Sequence, residues 1–166
     1  KSKLFPARAK GFSLIELLVT ITIIMILMGL AIGGFNFVTQ KQALEQAKIQ
    51  ISLLSDALEE YKLDYGEYPP TGDSNSIYKA LYWDTDGDGT GADTDTDQKI
   101  YVSQLDPANN KQGWTEGTKA GVKIVDPWGA EYIYINGADA AAKNPDFDLI
   151  SKGKDGIEGN ADYIRN

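Results

Sequence analysis

The chain has 166 residues, with 16 basic and 24 acidic side chains, a net charge of −8, and neither cysteine nor histidine. Lacking both types, it has no disulfide, no Ser/His or Cys/His catalytic pair and few ways to hold a transition metal. An acidic body rich in Asp and Gly argues against nucleic-acid binding and for a solvated exterior suited to binding cations.

Residues 1–11 carry Lys1, Lys3, Arg8 and Lys10 and no acid. Behind them, 12–38 is an apolar run longer than the roughly 20 residues a bilayer span needs. The basic cluster predicts a single pass with the N-terminus cytoplasmic and the rest of the chain across the membrane. One acid, Glu16, stands a turn inside the run. A carboxylate at the centre of a span costs about 2.5–3.5 kcal/mol, so something must compensate it. An alternative is a secretory signal peptide, with 17–30 as its apolar core and Ala31-Ile32-Gly33 as its cleavage site.

Past the run, Leu44, Ala47, Ile51, Leu54, Leu58, Tyr61 and Tyr65 recur at steps of three and four, which places them on one helix face. Gln42, Glu45, Gln46, Lys48, Gln50, Asp56, Glu59 and Lys62 fall mostly on the others. No proline interrupts 12–68, so one helix is predicted from Phe12 to about Tyr65, apolar all round in its first half and amphipathic in its second. Gly66 suits a C-terminal cap, and Pro69-Pro70 cannot continue a helix. Gly29, Gly33 and Gly34 each cost about 1 kcal/mol against alanine in a helix. They are either small packing residues or points where the helix unwinds in a crowded bundle.

Residues 68–166 read as short elements between turns. "SIYKALYW" (76–83) is a short helix or turn. Strand-like runs are "KIYVSQL" (99–105), "VKIV" (122–125), "EYIYI" (131–135) and "FDLIS" (147–151), with "DPWG" and "NG" as turns. These runs predict a small antiparallel sheet covering the amphipathic helix face. The tyrosines and Trp83, Trp114 and Trp128 are read as core. Ahead of the strands, "DTDGDGTGADTD" (84–95) has twelve-residue calcium-loop spacing: Asp84, Asp86 and Asp88 at positions one, three and five, Gly89 at the turn, Thr90 at seven and Asp95 at twelve. The last ligand is Asp rather than Glu and a strand-like run follows, so a flexible Asp/Gly loop is the other reading.

The N-terminal residues carry a family resemblance. "KGFSLIE" before a long apolar helix resembles the signature of type IV pilins and type II secretion pseudopilins. "ALEEYKLDYGEYP" (57–69), "DPWGAEYIYI" (126–135) and "DLISKGKDGIEGNADYI" (148–164) are most similar to the major pseudopilin of type II secretion. The resemblance implies a pilin-like α+β fold, a long N-terminal helix packed on a small antiparallel sheet. It divides the chain into a leader (1–11), a transmembrane and assembly helix (12–38), its amphipathic continuation (39–67) and a periplasmic globular region (68–166). It implies cleavage by a prepilin peptidase between Gly11 and Phe12, N-methylation of Phe12, and an assembly role for Glu16 opposite the terminal amine of a neighbouring subunit. The implied protein is no enzyme. It is a homo-oligomeric filament subunit of the bacterial inner membrane, working with an inner-membrane assembly platform and minor pseudopilins. It further implies a C-terminal calcium loop using the Lys152 carbonyl, Asp155 and Asp162, although Tyr163 stands where that family carries a second acid. The alternatives are a major or minor type IV pilus subunit, towards which the missing cysteines do not lean, and a secreted or anchored calcium-dependent binding module.

Overall fold

A computed structural model describes residues 11–82, 99–117, 121–157, 159 and 163–166, the side chains of 32–36 excepted. The expected leader positions before Gly11, together with Trp83, Asp84, Asp86, Asp88, Thr90, Asp95 and Asp162, lie outside the described residues. The chain divides into two units, Lys1–Gln40 and Lys41–Asn166.

Helix α1 spans Leu14–Tyr65, 52 residues, and its helical backbone runs through Gly29, Gly33 and Gly34 without a break. It ends where the sequence predicts. Gly66 takes φ 84°, a left-handed value that only glycine adopts without strain, and its N–H caps the Lys62 carbonyl at 2.7 Å.

In the second unit α1 supplies one wall of the core. Ala47, Ile51, Leu54 and Leu58 are buried as the spacing predicts, and Ala57 joins them. Tyr65, assigned to the same face, is instead 46% exposed and stacks on Tyr61 with ring centroids 4.4 Å apart. Gln50 departs from expectation in the other direction. Its side chain is buried on the apolar face and accepts a 2.7 Å hydrogen bond from the Tyr132 hydroxyl.

Helix α2, Ser74–Tyr82, follows the Pro69-Pro70 break and buries Ile77, Tyr78, Leu81 and Tyr82. Asp73 caps it: one carboxylate oxygen accepts from the Ser76 N–H at 3.0 Å and the Ser76 hydroxyl at 2.9 Å. The run 99–105 is not the expected strand. Its backbone N–H groups at Tyr101 and Val102 both donate to the Leu81 carbonyl, and Ser103–Leu105 closes as a 3-10 turn. Val102 and Leu105, three apart, point together into the core, a spacing suited to a tight helical turn rather than a strand.

The strands form two small antiparallel sheets. β1 (Thr115–Glu116) pairs with β2 (Lys123–Ile124), and β4 (Phe147–Ser151) lies between β3 (Ile133–Asn136) and β5 (Ile164–Arg165). All five β4 side chains are buried, which makes it the central strand of the body. The core joins α1 and α2 to Val102, Leu105, Val122, Ile124, Tyr132, Tyr134, Phe147 and Leu149. Burying each large apolar side chain contributes about 1.5–3 kcal/mol. Trp114 belongs to this core, whereas Trp128 is only half-buried. "NG" does not make a tight hairpin. The Gly137 N–H donates to Asp146 at the end of a ten-residue connection. A Cβ at Gly137 would collide with the Pro145 carbonyl, so the close approach of the loop ends requires glycine.

Candidate assembly helix and terminal loop

The first unit is dominated by apolar side chains with nothing over them. In the window Leu14–Ala31 the mean hydropathy is 2.6 and no residue is buried. Phe12 is 85% exposed and Leu14 81%. A helix apolar on every face is stable in lipid or among other helices, not in water. The two threonines of the window Leu14–Ala31 suit dry surroundings. The Thr20 and Thr22 hydroxyls donate to the Leu17 and Leu18 carbonyls, each at 2.8 Å, so neither is left unsatisfied.

Glu16 has a partner in its own chain. The Leu17 N–H donates to the Ser13 carbonyl, so Ser13 is the N-cap and Glu16 the third helical residue. Glu16 Oε2 accepts the Ser13 N–H at 2.8 Å, the carboxylate half of a capping box. The negative charge also lies at the positive end of the helix dipole. The Ser13-x-x-Glu16 spacing was the sequence signal for this bond. It makes Glu16 the residue that fixes where α1 begins, just after the expected cleavage bond between Gly11 and Phe12.

At the far end of the chain, buried side chains secure the terminal hairpin. Asp126, 2% exposed, organises the DPWG turn by accepting N–H bonds from Trp128 (3.0 Å) and Ala130 (2.9 Å) on Oδ1. Its Oδ2 accepts the Ser151 hydroxyl at 2.6 Å, and Ser151 Oγ in turn accepts the Gly153 N–H at 3.1 Å. The backbone around Lys152 is therefore held on both sides. Asp155 Oδ1 accepts the Ile157 N–H at 3.0 Å, which shapes the turn beyond it. Among the described residues no three acids gather as a metal-binding group. Of the candidate ligands in this loop, Lys152 and Asp155 lie within the described residues and Asp162 outside them.

A third cluster ties the segment after 84–95 to α1. Lys99 Nζ lies 2.8 Å from both Glu60 and Asp64, and the Tyr101 hydroxyl donates to Asp64 at 2.9 Å. Hydrogen bonds from Lys99 and then Tyr101 hold the Asp64 carboxyl below its usual range, while the same contacts hold Lys99 above its own. Burial, reinforced by Asp64, pushes the Tyr101 hydroxyl far up. The cluster tethers this segment to the C-terminal half of α1.

A span-length exposed apolar helix with an acid in its first turn, continuing into an α+β body, defines a pilin-like class of architecture. Comparison with known proteins narrows it. Residues 6–32 match the prokaryotic N-terminal methylation motif, and residues 86–166 match type II secretion system protein G. The type II secretion system core protein G of Escherichia coli K12 is 31% identical, the alignment covering 96% of this chain and 91% of that one. The protein of the same name from Pseudomonas aeruginosa is 31% identical over 92% of this chain and 88% of the relative. The crystal structure of the major pseudopilin from enterohaemorrhagic Escherichia coli aligns at a TM-score of 0.42 and 23% identity, covering 77% of this chain and 89% of that one. The chain belongs to the type II secretion system core protein G family.

Proposed function

We propose that the chain is the major structural subunit of a type II secretion pseudopilus, held in the bacterial inner membrane until it joins a helical filament. The observation that carries this reading is the exposed apolar helix whose first turn holds Glu16. A span that lipid covers before assembly is covered by other copies afterwards, so one surface serves as anchor and then as packing.

In this reading a prepilin peptidase hydrolyses the Gly11–Phe12 bond on the cytoplasmic side, removes the basic leader and methylates the Phe12 amine. The body lies in the periplasm. Glu16 is engaged with Ser13 through Oε2, and its remaining charge attracts the terminal amine of the incoming or neighbouring copy. A subunit added out of register would bury that carboxylate without a partner, which is strongly unfavourable. Growth of the filament by such additions is mechanical work, and the chain has no catalytic role. The inner-membrane assembly platform and the minor pseudopilins are its proposed partners beside further copies of itself.

Calcium is the proposed structural ligand, at 84–95 or at the loop holding Lys152, Asp155 and Asp162. A hard cation takes six to eight oxygens, and loops that place several carboxylates close together relieve their repulsion by binding it.

The test is Glu16→Ala and Glu16→Gln in cells that assemble the filament. Loss of cross-linked multimers with unchanged body stability in both variants is the expected result. Normal multimers in Glu16→Gln would remove the role of the charge.

A further inference from the structure

The dipeptide Asn136-Gly137 ends β3 and opens the connection to β4. Asparagine before glycine is especially open to intramolecular attack, because no side chain on the glycine hinders its backbone nitrogen from reaching the asparagine side-chain carbonyl. The position cannot shed that chemistry by changing the second residue, since a Cβ at Gly137 would collide with the Pro145 carbonyl.

The fold surrounds the same amide with partners. Asn136 Nδ2 donates to the Pro69 carbonyl at 2.8 Å and to the Tyr68 carbonyl at 3.3 Å, while Oδ1 accepts the Ala138 N–H at 2.9 Å. Carbonyls on one side and an N–H on the other fix which atom is the nitrogen. The Asn136 N–H donates to the Thr71 hydroxyl at 2.9 Å, and the Tyr134 hydroxyl donates to the Pro69 carbonyl at 2.9 Å. Gly72 adds an antiparallel bridge to Tyr134. These bonds clasp the turn that leaves α1 onto the end of β3. The attacking nitrogen is held as well, because the Gly137 N–H donates to the Asp146 carbonyl at 2.8 Å. Burial does not supply this restraint. Asn136 is half-buried and lines an open groove of about 470 Å³ with Tyr68, Thr71 and Asp139, so water reaches it.

We propose that Asn136 is a latent deamidation site, shut by this clasp and exposed to reaction whenever the turn after α1 lifts from β3. The Gly137 nitrogen then passes its proton to water and attacks Cγ of Asn136. A C–N bond forms, the Cγ–Nδ2 bond breaks, and ammonia leaves. Water opens the cyclic imide to aspartate or isoaspartate, so one water is consumed for each ammonia released and nothing is oxidised or reduced. Aspartate has no donor for the Tyr68 and Pro69 carbonyls, and its charge faces their oxygens. Isoaspartate reroutes the backbone through the side chain, where Asn136 is in register with Phe147. A body that has once opened is thereby marked and closes less well afterwards. The inference rests on this geometry and is independent of the filament reading.

The experiment follows the Asn136 peptide of the full chain in detergent micelles by mass spectrometry, folded and in guanidinium, in mildly alkaline buffer. Folded wild type is expected to convert at least about tenfold more slowly than the unfolded chain. Thr71→Ala removes one acceptor of the clasp. It is expected to speed conversion in the folded chain about threefold or more and to leave the unfolded rate unchanged. Asn136→Asp is expected to lower the denaturant midpoint of the body, whereas Asn109→Asp, the same charge at an exposed position, is not. Equal rates in folded and unfolded wild type would overturn the proposal. So would a Thr71→Ala rate matching folded wild type, or an Asn136→Asp midpoint equal to that of wild type. The wild-type comparison needs no variant, so it decides even where Asn136→Asp fails to fold.

Discussion

Glu16 is the residue on which sequence and structure say the most. Its charge in an apolar run stands out in the sequence, and the bond from Ser13 shows how the isolated chain tolerates it. The cap and the charge are separable. Glutamine keeps a carbonyl to accept the Ser13 N–H while removing the charge, so loss of assembly in Glu16→Gln isolates electrostatics from helix initiation. Asp73 is a capping acid of a simpler kind. Hydrogen bonds from the Ser76 hydroxyl and N–H lower its carboxyl below the usual value. With the folded value depressed, its contribution is full above the unfolded value near 3.9 and is lost as pH falls through the lowered folded value. Asp73→Ala should cost about 1 kcal/mol at neutral pH, and denaturant titrations should show that difference shrinking in acid. A constant difference from neutral to acid pH would contradict this role.

Among the elements, α1 and β4 were the most legible. Long periodicity, a terminal glycine and a following Pro-Pro leave little choice for α1, and Phe147, Leu149 and Ile150 mark a strand, although Asp148 and Ser151 hide that it is buried on both faces. The misreading at 99–105 has a physical cause. Its β-rich composition was outweighed by two N–H bonds to Leu81 and by the burial of Val102 and Leu105. β1 and β5, two residues each, are too short to show any period. Gln50 was hidden differently: it stands three residues after Ala47 and four before Leu54, on the buried stripe, but its polarity disguised the position. The capping box is legible as Ser13-x-x-Glu16, but the charge of Glu16 inside an apolar run points first to a partner outside the chain. Gln50 and Tyr132 join α1 to the residue before β3. Tyr132→Phe removes the donor to a buried carbonyl and should lower stability by about 1–3 kcal/mol, measured by chemical denaturation. An unchanged midpoint would mean that the Gln50–Tyr132 bond contributes nothing to holding α1.

For the whole molecule, the family was legible in short motifs at both ends, while the middle of the body was not. No disulfide reinforces the fold, which is why structural calcium is an attractive proposal. A ligand bound by the folded state alone stabilises it by about 2.7 kcal/mol when present at a hundred times its Kd. Calcium should therefore raise the body's melting temperature. Asp155→Ala should abolish the rise if the terminal loop is the site, and Asp84→Ala with Asp88→Ala if it is 84–95. A melting temperature that does not respond to calcium would remove the cation from the account. The central claim, that this is a filament subunit matured by a prepilin peptidase, is tested most directly by the N-terminus of the protein purified from membranes of its own host. Intact mass and terminal sequencing should give a chain beginning at an N-methylated Phe12. A chain that still carries the residues before Phe12, or one cut near Gly33, would contradict prepilin processing and the assembly role of Glu16 with it.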